Sequence, residues 1–314
     1  MRLVLIFCLL LFSLIAPLLS GEIPAIDLYV SGTLASQSTD YSFSFPVELS
    51  VIDQELYVLD QKSNIINVFD SDRMSFIHRF GGYGSEPGLF NRVFSLSPDS
   101  WGNLAISDFN NNRIQFFSLA GDYQSEFEVN SPWKFCFYDQ ELYIDVFPGS
   151  DDAGIYHVTA TGIFPEVDLA KYFLKNNFGS ILDKYYTYCV TDWGYVVSFS
   201  GRDEIIFFNN SGKAKRTKVD KLPLKYENTL YGKPIAYQDG FLILATSNDH
   251  QMTDSLQTSI NYHSLIGKYN KNGKLITLYN LPPNVWLSDS WALSEQQIFL
   301  YDSIELKVYK FNLD

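Results

Sequence analysis

The chain has 314 residues, of which 46% are hydrophobic, 16% aromatic and only 19% charged, a composition typical of a globular protein. Its formal net charge is −13, and it becomes −14 once Arg2 is removed with the leader described below, since 22 of the 23 basic residues then remain against 36 acidic ones. A surface this acidic repels phosphate groups, so we expect neither nucleic acid nor an anionic membrane as a partner.

The first twenty residues have the layout of a secretory signal peptide. Arg2 supplies a positive charge, residues 3–19 are almost wholly apolar, and the small residues Ser20 and Gly21 precede ordinary polar sequence. We predict a leader over residues 1–20 and an extracytoplasmic protein that is periplasmic, secreted or held at the cell surface, with no membrane insertion after cleavage. The alternative is an uncleaved membrane anchor, because the apolar run is nearly long enough to span a bilayer.

Short apolar segments, each preceded by a tight turn, recur along the rest of the chain. The sequence DQELY occurs at 53–57 and again at 139–143, and comparable turns begin at positions 99, 192, 239 and 295. The runs that follow are too short for helices and rich in β-forming residues, so they predict strands: LYVLD, LAISD, LYID, YVVSF, FLILA and IFLYD. A second pattern follows most of these runs: two apolar residues and a glycine at relative positions 0, +3 and +7, as in Ile114, Phe117 and Gly121. This pattern predicts a further hairpin in most copies.

Six copies at this spacing, each with room for about four strands, predict an all-β fold, a six-bladed β-propeller with four-stranded blades. We expect a single domain over residues 21–314, with blades near residues 44–81, 82–127, 128–170, 171–221, 222–282 and 283–314. The last blade has sequence for only three strands, whereas residues 26–35 have a strand composition and belong to no blade. We therefore predict that this N-terminal strand completes blade six and closes the ring.

Residues 82–127 resemble an NHL repeat. Val93 and Ser95 stand where such repeats usually have proline and glycine, and the other copies within residues 44–314 are more degenerate. The resemblance implies a propeller similar to those of the NHL and related bacterial families. The residues that carry it are Phe90, Asp99, Gly102-Asn103, Asp108, Asn111, Arg113-Ile114-Gln115 and Gly121.

The glycine-rich stretch at the start of this repeat is predicted to connect the outer strand of blade one with the inner strand of blade two. Its spacing is not GxGxxG and no helix follows it, which argues against a phosphate-binding loop. Asp108 and Arg113 are predicted to form a structural pair across a strand turn. The glycines of the connection are Gly81, Gly82, Gly84 and Gly88.

Motifs of the common catalytic and metal sites are absent from the sequence, which has no HExxH pair, Cys/His cluster or GxSxG elbow. Amidating lyases on NHL-like propellers bind zinc through histidines in the central channel, and lactonases on related propellers bind calcium at the axis, but their motif residues have no clear matches here. We expect no cofactor. Calcium or zinc remains the alternative, either at His250 and His263 on a predicted loop or at the acidic loop of residues 148–152. The other histidines, His78 and His157, fall outside this alternative, and His157 is predicted to lie on a strand.

Two cysteines, Cys136 and Cys189, remain outside the leader, so a disulfide-rich scaffold is excluded. Each precedes the acidic residue of its turn by three positions, which predicts equivalent places on the inner strands of neighbouring blades. Such strands are farther apart than hydrogen-bonded strands, and a disulfide needs Cα atoms within about 7 Å. We expect two buried thiols packed between blades, with a disulfide as the alternative.

The inner strand of each blade is expected to begin near the mouth of the central channel, six residues before the acidic residue of its turn. In blades one and two the aligned residue is a valine, and its polar neighbours Glu48 and Arg92 lie on opposite sides of it, so at most one can face the same way as the others. Packing between blades is the alternative for the whole set. The candidate binding residues are Glu48, Arg92, Trp133, Tyr186, Lys233 and Asp289.

Mixed aromatic and charged residues around an opening suit a small polar ligand or a peptide. We therefore predict a non-catalytic binding or interaction module that uses the propeller face or the central channel to bind a protein, a peptide or a small polar ligand. The alternative is an axial-site, metal-assisted hydrolase or lyase on the same fold. The two longest connections, near Asp151 and from Asn248 to His263, are expected on one face because they follow the same strand of their blades.

Overall fold

The computed structural model describes residues 23–35, 37–146, 151–180, 184–199, 204–215, 219–223, 229–252, 258–283, 285 and 287–313. For residues 215, 229, 248–252, 258–262 and 287–289 only the backbone is described. The described part contains one short helix, α1 (Leu169–Lys175), and one 3₁₀ turn, Phe109–Asn111; the other elements are strands.

The strands form a six-bladed β-propeller with four-stranded blades, which confirms the predicted fold. Two strands precede the blades, β1 (Ala25–Asp27) and β2 (Val30–Ala35). Blades one to three contain β3 (Pro46–Ile52), β4 (Glu55–Asp60), β5 (Ile65–Asp70) and β6 (Ser75–Gly81); β7 (Leu96–Pro98), β8 (Asn103–Asp108), β9 (Arg113–Ser118) and β10 (Tyr123–Glu128); β11 (Phe135–Tyr138), β12 (Glu141–Asp145), β13 (Gly154–Thr159) and β14 (Gly162–Asp168).

Blades four to six follow the same order, except that the inner strand of blade five is in two pieces, β19 and β20, which both pair with β21. Their strands are β15 (Tyr186–Thr191), β16 (Gly194–Phe199), β17 (Glu204–Phe208) and β18 (Ala214–Lys215); β19 (Thr229–Tyr231), β20 (Ile235–Tyr237), β21 (Gly240–Met252), β22 (Thr258–Asn270) and β23 (Leu275–Asn280); β24 (Leu287–Leu293), β25 (Gln297–Asp302) and β26 (Lys307–Asn312).

The N-terminal segment closes the ring, as predicted. Strand β2 pairs antiparallel with β26 and becomes the fourth strand of blade six, with Leu34 opposite Val308. Strand β1 instead pairs in parallel with β23, the outer strand of blade five. The single strand expected over residues 26–35 is therefore two strands that add to neighbouring blades and hold them together.

The hydrophobic core lies between the blades as a series of separate clusters. Tyr57 and Leu59 of blade one, for example, pack against Leu104 and Ile106 of blade two. Both faces of a second strand are covered by neighbouring blades, so its side chains are buried on both sides. This explains why the apolar runs found in the sequence, such as LYVLD, are continuous instead of alternating with polar residues.

Blade two confirms two predictions about its loops. Strand β6 ends at Gly81 and β7 begins at Leu96, so the glycine-rich stretch is the connection between blades one and two. At Gly81 the backbone has a φ of +91°, and a Cβ atom would come within 2.8 Å of the Asn64 carbonyl oxygen, which explains the need for glycine there. Arg113 Nε donates to Asp108 Oδ2 at 2.8 Å, and both residues are buried, so the two form a structural ion pair.

Every first strand begins, and every second strand ends, at the same face of the ring, which we call the mouth face. The described ends of the two long connections, after Asp145 and after Met252, both follow second strands and lie at this face, as predicted. The longer one is not the expected loop, because β21 and β22 continue as a paired ladder to Met252 opposite Thr258. Residues 147–150 and 253–257 lie outside the described residues.

The predicted leader stays a prediction, because residues 1–22 lie outside the described residues. Throughout the part of the chain that the structure covers, no helix combines the length and the apolar character needed to cross a bilayer.

Candidate functional site

Two cavities lie along the axis of the propeller. The mouth cavity has a volume of about 490 Å³ and opens at the mouth face, where its wall includes Gln61 and Ser303 from turns between second and third strands. The lower channel, about 320 Å³, is lined by all six blades, from Leu49 in blade one to Trp291 in blade six. The mouth cavity is within the size range of small-molecule sites, which is roughly 300–1,000 Å³.

An ion network crosses the axis between the two cavities. The Glu48 carboxylate is 1% exposed and accepts hydrogen bonds from Lys233 Nζ at 2.8 Å and from Lys134 Nζ at 3.4 Å. These residues come from blades one, five and three, so the network joins alternate blades of the ring. Lys134 lines the mouth cavity and Lys233 lines the lower channel. We call the three residues the axial network; it lies beneath the mouth cavity and reaches its lining through Lys134.

Irregular backbone at two prolines turns two of these side chains toward the axis. In β3 the pairing shifts between Pro46 and Glu48, so that a bulge reverses the alternation of side chains. Lys233 lies in the break between β19 and β20, immediately before Pro234, whose missing N–H cannot join a ladder. The indole N–H of Trp291 donates to the Lys233 carbonyl at 2.8 Å and fixes the backbone at this break.

The axial donor set does not fit calcium or zinc. Both oxygens of Glu48 already accept from ammonium groups, and a metal ion beside them would meet the repulsion of Lys134 and Lys233. Among the residues whose side chains are described, no group of three or more His, Cys, Asp or Glu side chains could hold a metal ion. We therefore derive no chemical step through a metal at the axis.

An aromatic wall stands beside the cations of the mouth cavity. The rings of Phe94 and Trp133 have their centroids 3.9 Å apart. The Arg92 guanidinium lies over two rings, 5.1 Å from the centroid of Phe94 and 5.7 Å from that of Phe109. Arg92 is exposed, and it makes no ion pair with any of the described residues.

Apolar and hydroxyl groups complete the wall. Phe45 is 56% exposed and Leu306 is 41% exposed, so the cavity presents uncovered apolar surface to the solvent. Burial, together with the nearby Asp60 and Asp302, raises the pKa of Tyr301 to about 12. The Tyr301 hydroxyl is therefore protonated at neutral pH and able to donate a hydrogen bond.

Carboxylates near the mouth face hold its loops and do not line the cavity. Asp60, at the end of β4, accepts from the backbone N–H of Phe45, and Asp145, at the end of β12, accepts from that of Lys134. Asp302 caps the turn after β25 in the same way, accepting from the N–H of Ile304. Burial raises the pKa of Asp145 well above its usual range. Among the described residues that line the mouth cavity, none is acidic.

The predicted binding residues divide into three groups. Arg92 and Trp133 line the mouth cavity, while Glu48 and Lys233 belong to the axial network. Tyr186 does not reach the mouth: it is fully buried between blades three and four, and its hydroxyl donates to the Gly154 carbonyl at 3.2 Å. The side chain of Asp289 lies outside the described residues.

The misplacement of Tyr186 has a physical reason. Successive side chains of an inner strand point toward opposite neighbouring blades. Counting six residues back from the acidic residue of the turn therefore selects equivalent side chains only where the inner strands are regular. Blade one has a bulge, and β11 begins two residues later than the count assumes, whereas β15 is regular from Tyr186 onward. As a result Tyr185, and not Tyr186, lines the mouth cavity. The sequence analysis also missed Lys134, although it precedes its turn acid by five residues, as Glu48 does.

His250 and His263, the histidines considered as metal ligands, lie on strands, and so does His157. His157, on β13, pairs with Glu141 and stacks on the ring of Tyr143 at the outside of blade three. His263 stands opposite Ser247 and His250 opposite Ile260 in the long ladder of blade five. The side chain of His250 is not among those described, so the suggested pair with His263 remains a prediction.

The two cysteines are free thiols, as predicted, on the inner strands of neighbouring blades. Cys189 is buried in the cluster between blades four and five, and Cys136 is partly buried against the cluster between blades three and four, as predicted. Both also border the lower channel. Burial raises the pKa of Cys136 to about 12 and raises that of Cys189 as well. Both thiols are therefore protonated and unreactive at neutral pH.

We expect two titratable thiols in the protein that lacks residues 1–20. In the native state at pH 8, reaction with a disulfide reagent should be about a thousandfold slower than in the denatured chain, because almost no thiolate is present. After denaturation without reductant, both thiols should react. Finding none would establish a disulfide and contradict the structure.

The chain matches no protein-family model. Its fold resembles that of a gluconolactonase from Xanthomonas campestris, with a TM-score of 0.60 and 13% identity over 90% of this chain and 89% of the other. It also resembles regucalcin, a calcium-binding protein from Agrobacterium tumefaciens, with a TM-score of 0.58 and 9% identity over 92% and 95% of the two chains.

A Bacteroides fragilis protein assigned as exported is a further structural neighbour, with a TM-score of 0.54 and 13% identity over 89% of this chain and 88% of the other. At such identities the likeness concerns the fold and does not extend to activity. The chain thus has the six-bladed propeller fold that a gluconolactonase, a calcium-binding protein and an exported protein also have.

Proposed function

We propose that the protein is an extracytoplasmic, non-catalytic binding module that holds a small polar ligand or the end of a peptide in the mouth cavity. The observation that carries the proposal is an open cavity of about 490 Å³ with an aromatic wall, exposed apolar residues at its rim and Lys134 of the axial network in its lining. Preformed cavities that combine aromatic surface with a few polar groups are typical of ligand sites.

The location outside the cytoplasm rests on the leader pattern of residues 1–20 and is supported by the exported structural neighbour. The relation to NHL proteins rests on the resemblance of residues 82–127 alone. A metal-assisted hydrolase or lyase is the competing function. The fold likeness to a gluconolactonase and to virginiamycin B lyase supports it, whereas the axial lysines oppose it. Stoichiometric zinc or calcium in the purified protein would favour the enzyme.

Filling the mouth cavity should abolish binding. Ser303 lies exposed in a turn at the cavity wall, so Ser303→Trp should occupy the cavity without disturbing the core. A fragment library is screened by ligand-observed NMR against the protein and this variant. We expect hits whose binding falls at least tenfold in Ser303→Trp. Ser125→Trp, on the exposed outer strand of blade two, is the matched control and should bind the same hits unchanged.

A screen in which no hit loses binding in Ser303→Trp would overturn the proposal. Both variants should keep the melting temperature of the parent protein, since both serines are exposed.

A further inference from the structure

The charges that line the mouth cavity are opposite in sign to those of the whole protein. The chain carries a net charge of −13, yet the charged residues of the described wall are Arg92 and Lys134. Resting on the function proposed above, we infer that the ligand is a small organic anion: a carboxylate attached to a flat aromatic body. The cations would take the carboxylate, and the aromatic wall would take the ring.

Arg92 has the geometry of an anion receptor. Its guanidinium plane is supported by the rings of Phe94 and Phe109, which limits the rotamer freedom that binding would otherwise remove. Within the described part of the chain no carboxylate and no backbone carbonyl is hydrogen-bonded to this guanidinium. Its N–H donors thus remain available for the two oxygens of a ligand carboxylate, the pairing for which the planar guanidinium is best suited.

The axial network adds a second positive charge beneath the mouth cavity. One carboxylate, Glu48, faces two ammonium groups, so the three residues together carry a charge of +1. Their side chains are largely buried, with Lys134 15% and Lys233 24% exposed, and charge in such an environment is screened less than charge at the surface. An anion above Lys134 would therefore be attracted from below as well as from the side.

The acidic remainder of the protein does not cancel this attraction. At physiological ionic strength the screening length is about 8 Å, so the groups that line a cavity outweigh charges on distant blades. Apart from Glu48, which is paired within the axial network, the described carboxylates near the mouth face are Asp60, Asp145 and Asp302. They accept hydrogen bonds from backbone N–H groups of the loops and do not line the cavity.

The apolar part of the ligand is defined by the rings of the wall. Phe94 and Trp133 form a tilted pair beside Arg92, and Phe45 stands 56% exposed at the rim. A flat ring placed against Phe45 and the edge of this pair would cover the exposed surface of Phe45 while its carboxylate reached the cations. Aromatic contacts of this kind contribute about 1 kcal/mol beyond area burial, which favours an aromatic body over an aliphatic one.

The test uses three probes of one shape and different charge: phenylacetate, phenylacetamide and phenethylamine. We expect phenylacetate to bind at least about tenfold more tightly than the neutral amide and the cationic amine, by ligand-observed NMR titration. Its binding should be lost in Ser303→Trp and should weaken as the salt concentration rises.

Arg92→Gln should weaken phenylacetate binding about tenfold and leave phenylacetamide unchanged, because glutamine removes the charge and keeps much of the side chain. The matched control is Arg73→Gln, which removes another exposed positive charge from a turn of blade one outside the cavity and should alter the binding of neither probe. Equal effects of Arg92→Gln on both probes, or an amide that binds as tightly as the acid, would overturn the inference.

The outcomes separate this inference from the function on which it rests. If the neutral or the cationic probe binds best and loses its binding in Ser303→Trp, the inferred anionic ligand is refuted and the binding function stands. If the binding of every probe is unchanged in Ser303→Trp, both are refuted. A short acetylated peptide with a C-terminal phenylalanine, as the free acid and as the amide, distinguishes the source of the carboxylate. If the peptide acid binds more tightly than phenylacetate, the ligand is the C-terminal end of a peptide. If it binds more weakly, the ligand is a free aromatic acid.

Discussion

Deletion of residues 22–36 is expected to abolish the cooperative unfolding transition of the propeller. The deletion removes β1 and β2 together, and with them the ladders to blades five and six. It also removes the buried side chains of Leu28 and Leu34, each worth about 2–5 kcal/mol in a packed core. The sum is comparable to the total stability of an ordinary domain, about 5–15 kcal/mol, so the open ring should not persist as a folded state.

Two point variants in the same segment serve as controls, measured by thermal denaturation with circular dichroism. Leu34→Ala should destabilise the protein by about 2–4 kcal/mol, because Leu34 packs in the cluster between blades six and one. Tyr29→Ala should change the free energy of unfolding by less than about 0.5 kcal/mol, since Tyr29 is 77% exposed. An unchanged melting curve after the deletion would show that the N-terminal strands do not close the ring.

Glu48→Gln is expected to destabilise the protein by about 3 kcal/mol. Glutamine keeps the shape of Glu48 but removes the carboxylate that Lys134 and Lys233, two largely buried ammonium groups, share. Breaking one side of a buried ion pair typically costs about 3–5 kcal/mol, and the partial exposure of the lysines places this site at the lower end. The measurement is the midpoint of urea denaturation at neutral pH.

The control is Glu305→Gln, which breaks an ion pair of Lys307 on the surface, where both side chains are more than 40% exposed. This change should cost less than about 0.5 kcal/mol. Replacing all three axial residues with methionine should recover most of the stability lost in Glu48→Gln, since no unpaired charge remains. A Glu48→Gln variant as stable as the parent would show that the axial network does not contribute to holding the blades together.

The architecture could be predicted because its signals are local and repeated. Each turn around an acidic residue and each apolar run specifies a strand from a few neighbouring residues, and six copies leave little choice of fold. Closure of the ring by the N-terminal strand could be predicted by counting the strands of each blade, because the sequence of blade six has room for only three. The Asp108–Arg113 pair was predictable for the same reason, because the two residues face each other at the ends of β8 and β9.

The candidate site could be predicted only in part. Trp133 and Arg92 were identified from their distance to the turn, but the same count wrongly selected Tyr186 in place of Tyr185. A strand places successive side chains on opposite sides, so one bulge or a strand that starts two residues later reverses which side chain faces the mouth. Nothing in the local sequence of blade four signals that difference.

By itself, the sequence determined the number of blades, the ring closure and the pairs formed within a blade, all of which depend on short-range periodicity and turn chemistry. The tertiary structure alone decided what meets at the axis. Glu48 lies 86 residues from Lys134 and 185 residues from Lys233, and the closed ring brings the three together. Contacts across a ring depend on the direction of single side chains in different blades, and that direction is fixed by bulges, strand breaks and packing between blades, which no repeat pattern encodes.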